Sequence, residues 1–185
     1  MPTRFFLLLA TLLFCSAARA EQTPQEVDPA FSGIPLAQAV SKSPFGIPLF
    51  AATLIGDPPR LYVCNAEKTE RATLIYYDDE PINTLIEIDV EHVTARYVNC
   101  AQPHAPIVHF VSGRGITLGM RREQVEKILG KPQKTHPQLD EIVLIYRLDT
   151  KTAAHFLQRH DARAYFGQYH FRQDKLVRFN YGFEL

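Results

Sequence analysis

No sign of charge dominates this chain: of its 185 residues, 20 are Lys or Arg and 20 are Asp or Glu. Such a balance gives no support for nucleic acid as a partner, because that binding rests on an excess of clustered cations. Cysteine is scarce, with three in all, and no two are spaced C-x-x-C, so the common zinc and dithiol motifs are missing. Serine is scarce beyond the first twenty residues, at Ser32, Ser41, Ser43 and Ser112, and none lies in G-x-S-x-G or S-x-x-K. Local signatures of an acyl-transfer nucleophile are therefore absent. Long apolar runs are lacking too. The one candidate, FFLLLATLLF, has ten residues, well short of the roughly 20 that a membrane span needs.

That run reads as the core of a secretory signal peptide. Arg4 precedes it, AARA follows with Ala18 and Ala20 around Arg19, and cleavage is expected near Ala20. Phe14 before Cys15 does not suit lipoprotein processing, which wants a small residue there. The expectation is export to the periplasm, with no membrane span. A lone pair of cysteines, Cys64 and Cys100, then remains in an oxidising compartment. A disulfide between them is expected to stabilise the fold by roughly 3–4 kcal/mol. Charge is uneven along the exported chain: residues 21–110 carry 5 basic and 12 acidic side chains, and 111–185 carry 13 basic and 8 acidic. That asymmetry fits two solvated faces, or a basic partner-binding surface on the second half.

Residues 21–30, EQTPQEVDPA, read as a flexible tail. Beyond it, short motifs recur in order: GIPL at 46–49 with GITL at 115–118, IGDP at 55–58 with LGKP at 129–132, TLIYY at 73–77 with VLIYR at 143–147. The offsets are 69, 74 and 70, which points to a duplicated unit near 70 residues, with units over 31–110 and 111–185. IEIDVEHVTARYV at 86–98 aligns with YHFRQDKLVRFNY at 169–181, so the second copy holds about 13 extra residues near DTKTAAHFLQRHDA.

A helix is expected over 120–129. Val125, Ile128 and Leu129 make an apolar stripe, Glu123 and Lys127 pair at i, i+4, and Gly130 and Pro132 end it. LFAATLIG should form a shorter helix in the first copy. Strands show period two: Val177, Phe179, Tyr181 and Phe183 alternate with polar residues, and Tyr165, Tyr169 and Phe171 oppose Phe166, Gln168, His170 and Arg172. Asp174 and Lys175 should make the turn between them. The fold class expected is α+β, with two tandem helix-plus-antiparallel-hairpin units whose sheets keep one face open. An outer-membrane barrel would need about eight such strands uninterrupted by helix.

RGITLGMRREQVEKILGKPQ, at 114–133, raises the question of an anion grip. Gly113, Gly115 and Gly119 give G-x-G-x-x-x-G rather than the dinucleotide fingerprint, and a hairpin follows instead of a parallel crossover. Arg121 and Arg122 at the helix start leave a weak anion site open, against a reading in which the stretch only turns the chain. LGMRREQVEKILGKP resembles the G-M-[ST]-x-x-Q-V-x-x-x-L-G-x-P signature of SmpA/OmlA (BamE-like) outer-membrane assembly domains and the related β-lactamase-inhibitory-protein fold. Gly119, Met120, Gln124, Val125, Leu129, Gly130 and Pro132 fall on matching positions, while Arg121 stands where that family has a capping Ser or Thr. With Gly115 these residues are read as structural. The resemblance implies a tandem, secreted, disulfide-bonded fold that binds another protein through an open sheet.

No catalytic constellation emerges. Seven histidines include the pairs His104/His109 and His155/His160, spaced five apart, which suits no helical metal motif, and His136 precedes a proline. Neither a metal nor a cofactor is expected. YYDDEP at 76–81 sets Asp78, Asp79 and Glu80 in a row, which reads as a hairpin loop or, alternatively, as the acidic site of a small periplasmic hydrolase or ligand carrier. The leading expectation is a non-enzymatic protein-binding module acting in the cell envelope by inhibition, scaffolding or assembly. Its partner would be an envelope protein met by the open face of the last hairpin through Phe166, His170, Arg172 and Arg178.

Overall fold

The computed structural model describes residues 28, 30–31, 33–36, 39–40, 45–47, 55–79, 82–93 and 99–185. The expected signal peptide, most of LFAATLIG and Glu80 lie outside these residues. Three short strands open the fold: β1 (Ala30–Phe31), β2 (Ile34–Pro35) and β3 (Ala39–Val40). Long strands follow as β4 (Arg60–Cys64), β5 (Glu70–Asp79) and β6 (Ile82–His92). After a loop come α1 (Arg122–Leu129), β7 (Lys134–Gln138), β8 (Glu141–Asp149), α2 (Thr150–Gln158), β9 (Ala164–Arg172) and β10 (Lys175–Glu184).

The expectation of two helix-plus-hairpin units is overturned. All seven long strands belong to one antiparallel sheet in the order β4-β5-β6-β10-β9-β8-β7, and β3 lies against the end of β6. The physical cause is the pairing of β10 with β6, where Arg178 to Gly182 run against Glu91 to Glu87. Each half lends the other an inner strand, so neither keeps a sheet of its own. Both helices are short, and α2 occupies the segment where the second half carries its extra residues.

Period-two alternation sends Leu61, Val63, Leu74, Ile88, Val90, Leu144, Tyr146, Tyr169, Phe179 and Tyr181 into one core. Val125 and Leu129 of α1, Leu157 of α2, and Phe110, Ile116 and Leu118 of the 99–121 loop close over it. Phe31 and Leu36 join the same cluster, with Phe31, Phe45 and Phe110 ring to ring at 5.7–5.9 Å. Of the expected tail, Asp28 and Ala30 are described, and Asp28 is buried. At the last hairpin, positive φ falls on Gln173 and Asp174, so the turn lies one residue earlier than expected. A register shift between Leu176 and Arg178 then buries Leu176 in place of Val177.

The stretch 114–133 is tied into the fold at both ends of α1. Gly119 donates to Leu176 O (2.8 Å) and Leu176 N donates to Met120 O (2.8 Å), which docks the start of α1 on β10. Gln124 Oε1 accepts from Arg121 N at 2.8 Å, the half of a capping box that reaches back from the third helical residue to the N-cap. Gly130 ends the helix at φ 78°, a conformation costly to any residue with a Cβ. Its carbonyl accepts from the Tyr146 hydroxyl at 3.0 Å.

Both outer edges of the sheet are blunted. Beyond β4, Cys64 N donates to Ala101 O (3.1 Å) and Ala101 N to Tyr62 O (2.8 Å). The Cys64–Cys100 disulfide, Cα to Cα 5.6 Å, holds that segment in place. On the far side β7 carries Pro137, which offers no edge N–H, and the Gln133 side chain accepts from Arg147 N at 2.6 Å as a strand residue would.

Candidate functional site

Among the described residues, both helices and the 99–121 loop pack on the core side of the sheet, and on the opposite face only Thr73, Val143 and Gly182 of the rows below are buried. Cross-strand register lays three rows across β5, β6, β10, β9 and β8 there. One row runs Arg71, Glu91, Arg178, His170, Val143; the next Thr73, Asp89, Asn180, Gln168, Ile145; the third Ile75, Glu87, Gly182, Phe166, Arg147. Phe166, His170 and Arg178 thus share the open face as expected from their alternation.

Their chemistry differs from a set of free cations. Arg178 grips Asp89 with two hydrogen bonds of 2.9 and 2.7 Å, and that carboxylate raises the guanidinium's pKa further. Arg147 holds Glu184 in the same forked way at 2.6 and 2.9 Å, and Arg71 meets Glu91 at 2.5 Å. Arg172, at the end of β9, reaches across to Asp140 (2.8 Å) and Glu141 (2.7 Å) beside the β7–β8 turn. His170 Nδ1 lies 3.3 Å from Glu141 and is largely shielded from water. His170 and Arg172 therefore brace the β7–β8 hairpin. Glu87 is raised above the usual carboxylate range by partial burial, against the opposing pull of its contact with Asn180 at 3.3 Å.

Sequence reasoning missed two features. Tyr62, Ile75 and Ile145 are apolar yet half-exposed on this face. The alternation in RLYVC and EIVLIYRLD carried that signal, but strand periodicity alone does not say which face is covered. Leu139 at the tip of the β7–β8 hairpin is wholly exposed, at φ 49°.

The acidic run is part of a hairpin: Asp78 and Asp79 end β5, opposite Asn83 and Ile82. Among the described residues no three His, Cys, Asp or Glu side chains gather as metal ligands. His109 is tied through Nδ1 to the buried Glu70 carboxylate at 2.7 Å, which also accepts from Phe110 N at 2.9 Å. That contact pins the 99–112 segment to the β4–β5 turn. No helix among the described residues is long and apolar enough to cross a membrane. Compared with known proteins, the chain matches no family model, no curated protein and no solved structure.

Proposed function

We propose that this is an exported protein-binding module of the cell envelope, without a catalytic site, that docks an envelope protein on the face of its sheet opposite the core. The observation that carries this reading is the setting of Phe166. Its ring sits half-exposed between the bare Gly182 and Arg147, with the Arg178–Asp89 and Arg147–Glu184 pairs nearby. Interfaces favour an aromatic anchor among arginines. Arginines already held by carboxylates lose less freedom on binding than free ones. The likeness of residues 118–132 to the SmpA/OmlA signature, whose relatives bind proteins, agrees with this reading.

The test is a photo-crosslinking residue placed at Gln168, on this face, in the exported protein, with a second version at Val108, which is exposed on the loop over the core. Expected is one discrete envelope product from the Gln168 position, lost with Phe166→Ala while the thermal melt is retained. Equal products from both positions, or one insensitive to Phe166→Ala, would refute the choice of face.

A further inference from the structure

Arginines on the face opposite the core keep a repeated company. Arg71 meets Glu91 at 2.5 Å, and its guanidinium carbon lies 5.3 Å from the centre of the Tyr62 ring. That group is built from three neighbouring strands, with a carboxylate on β6, a guanidinium on β5 and an aromatic ring on β4. Arg178, Arg147 and Arg172 also hold carboxylates, at Asp89, Glu184 and Glu141.

Glu87 is the exception. It is half-buried, and among the described residues no cation forms an ion pair with it. Asn180 Nδ2 donates to its carboxylate at 3.3 Å, a long hydrogen bond. Burial raises Glu87 above the usual carboxylate range, and the charges of Arg178 and Arg60 oppose this only from beyond contact. Arg178 is already held by Asp89, and Arg60 stands two strands away with the half-exposed Ile75 between.

Gly182 pairs with Glu87 on one side and with Phe166 on the other. It puts no side chain between them, and its own backbone is buried below. The strands carrying Glu87 and Phe166 lie roughly 10 Å apart, two strand spacings, the same separation as the strands of Glu91 and Tyr62. Among the described residues no aromatic ring and no guanidinium is stacked on Phe166. Carboxylate and ring thus repeat the Glu91–Tyr62 pair, with glycine on the middle strand where the other group has Arg71.

We propose that Glu87 and Phe166 together receive an arginine side chain of the envelope partner; the inference rests on the docking reading above and names the chemistry of the docked group. A guanidinium can donate to a carboxylate and lie against an aromatic ring at once, as Arg71 does with Glu91 and Tyr62. A lysine ammonium offers no flat face to the ring. An acidic group would add a second negative charge beside a half-buried one.

NMR titration of the exported protein with a capped pentapeptide, one arginine among glycines and serines, tests the seat. The citrulline version is its uncharged twin of the same shape. Expected are saturable shifts of the Phe166 ring and the Glu87 carboxyl carbon, with citrulline binding about 10-fold weaker and Glu87→Gln weakening the arginine peptide by a similar factor. Equal affinity of the two peptides overturns the proposal, and so does the absence of shifts at Phe166 and Glu87. Shifts spread equally over Glu123 and Glu126 of α1 also overturn it, since that is diffuse attraction of charge. The citrulline comparison needs no variant, so it decides even if Glu87→Gln does not fold.

The crosslinker at Gln168 separates this inference from docking itself. A wild-type product lost in a folded Glu87→Gln protein supports the arginine seat. A product that survives Glu87→Gln overturns the seat and leaves the docking reading standing. No product from the wild type overturns both.

Discussion

Gly182→Ala sets two physical effects against each other. By chain entropy alone, replacing a strand glycine should stabilise the fold by roughly 0.4–1 kcal/mol. The structure predicts the opposite sign. A Cβ added at Gly182 would stand 2.9 Å from Glu87 Cα and 3.0 Å from Glu87 Cβ, and it would collide with the Ile86 carbonyl oxygen. Carbon atoms rest about 3.5–4.0 Å apart, so β6 must retreat by about 0.5–1 Å. It cannot retreat freely, because β5 holds its other edge on both sides of the register shift that leaves Ile86 without a partner in β5. Overpacking of this kind costs about 1–3 kcal/mol, which exceeds the entropic gain. A net loss of about 1.3 kcal/mol should lower Tm by roughly 3–5 °C for a chain of this size. Thermal and urea unfolding, with the disulfide intact, measure it. Gly167→Ala is the control, because the nearest atom to its Cβ would be a side-chain carbon of Tyr169 at 3.2 Å rather than backbone, and a smaller loss is expected. A Gly182→Ala protein as stable as the wild type would refute the close approach of β6 and β10.

Leu139→Gly should raise stability by about 0.5–1 kcal/mol, since it relieves a left-handed leucine that buries nothing; an unchanged or lowered melt contradicts this. Replacing both Cys64 and Cys100 with Ser should cost roughly 3–4 kcal/mol in urea unfolding, and a loss below about 1 would mean that the loop is held by other contacts. A double-mutant cycle on Arg178 and Asp89, both partly in water, should give a coupling of about 0.5–1 kcal/mol that shrinks with added salt. No salt dependence would argue that the pair is not the source of the coupling.

Local features of the fold were legible. The stripe of Val125, Ile128 and Leu129 and the stop at Gly130 and Pro132 placed α1 to within two residues of its bounds, Arg122–Leu129. Alternation in β9 assigned Phe166 and His170 to the face opposite Tyr165 and Tyr169, and cysteine arithmetic gave the bridge. Long-range relations were not legible. Phe179 pairs with Val90, yet nothing in either strand's pattern distinguishes a partner in the other half from one in its own. The shift at Val177 escaped because a bulge changes register without changing composition. Asp28 was read as tail because its neighbours are polar, and composition does not report that the hydroxyls of Tyr165 and Tyr181 hydrogen-bond to the backbone at Asp28 and Ala30. The candidate cations were found by type, but their engagement with Asp89, Asp140 and Glu141 depends on register.

The β6–β10 seam also has a consequence for how the molecule comes into being. Its middle strands are joined by partners about ninety positions apart in the chain, while both rims are shut by Ala101 and by Pro137. Neither half can complete its hydrogen bonding before the other arrives, so folding should be all-or-none and slow for the size. A chain interrupted between the halves would leave β6 and β10 as long, bare edges, each as ready to pair with a stranger as with its mate.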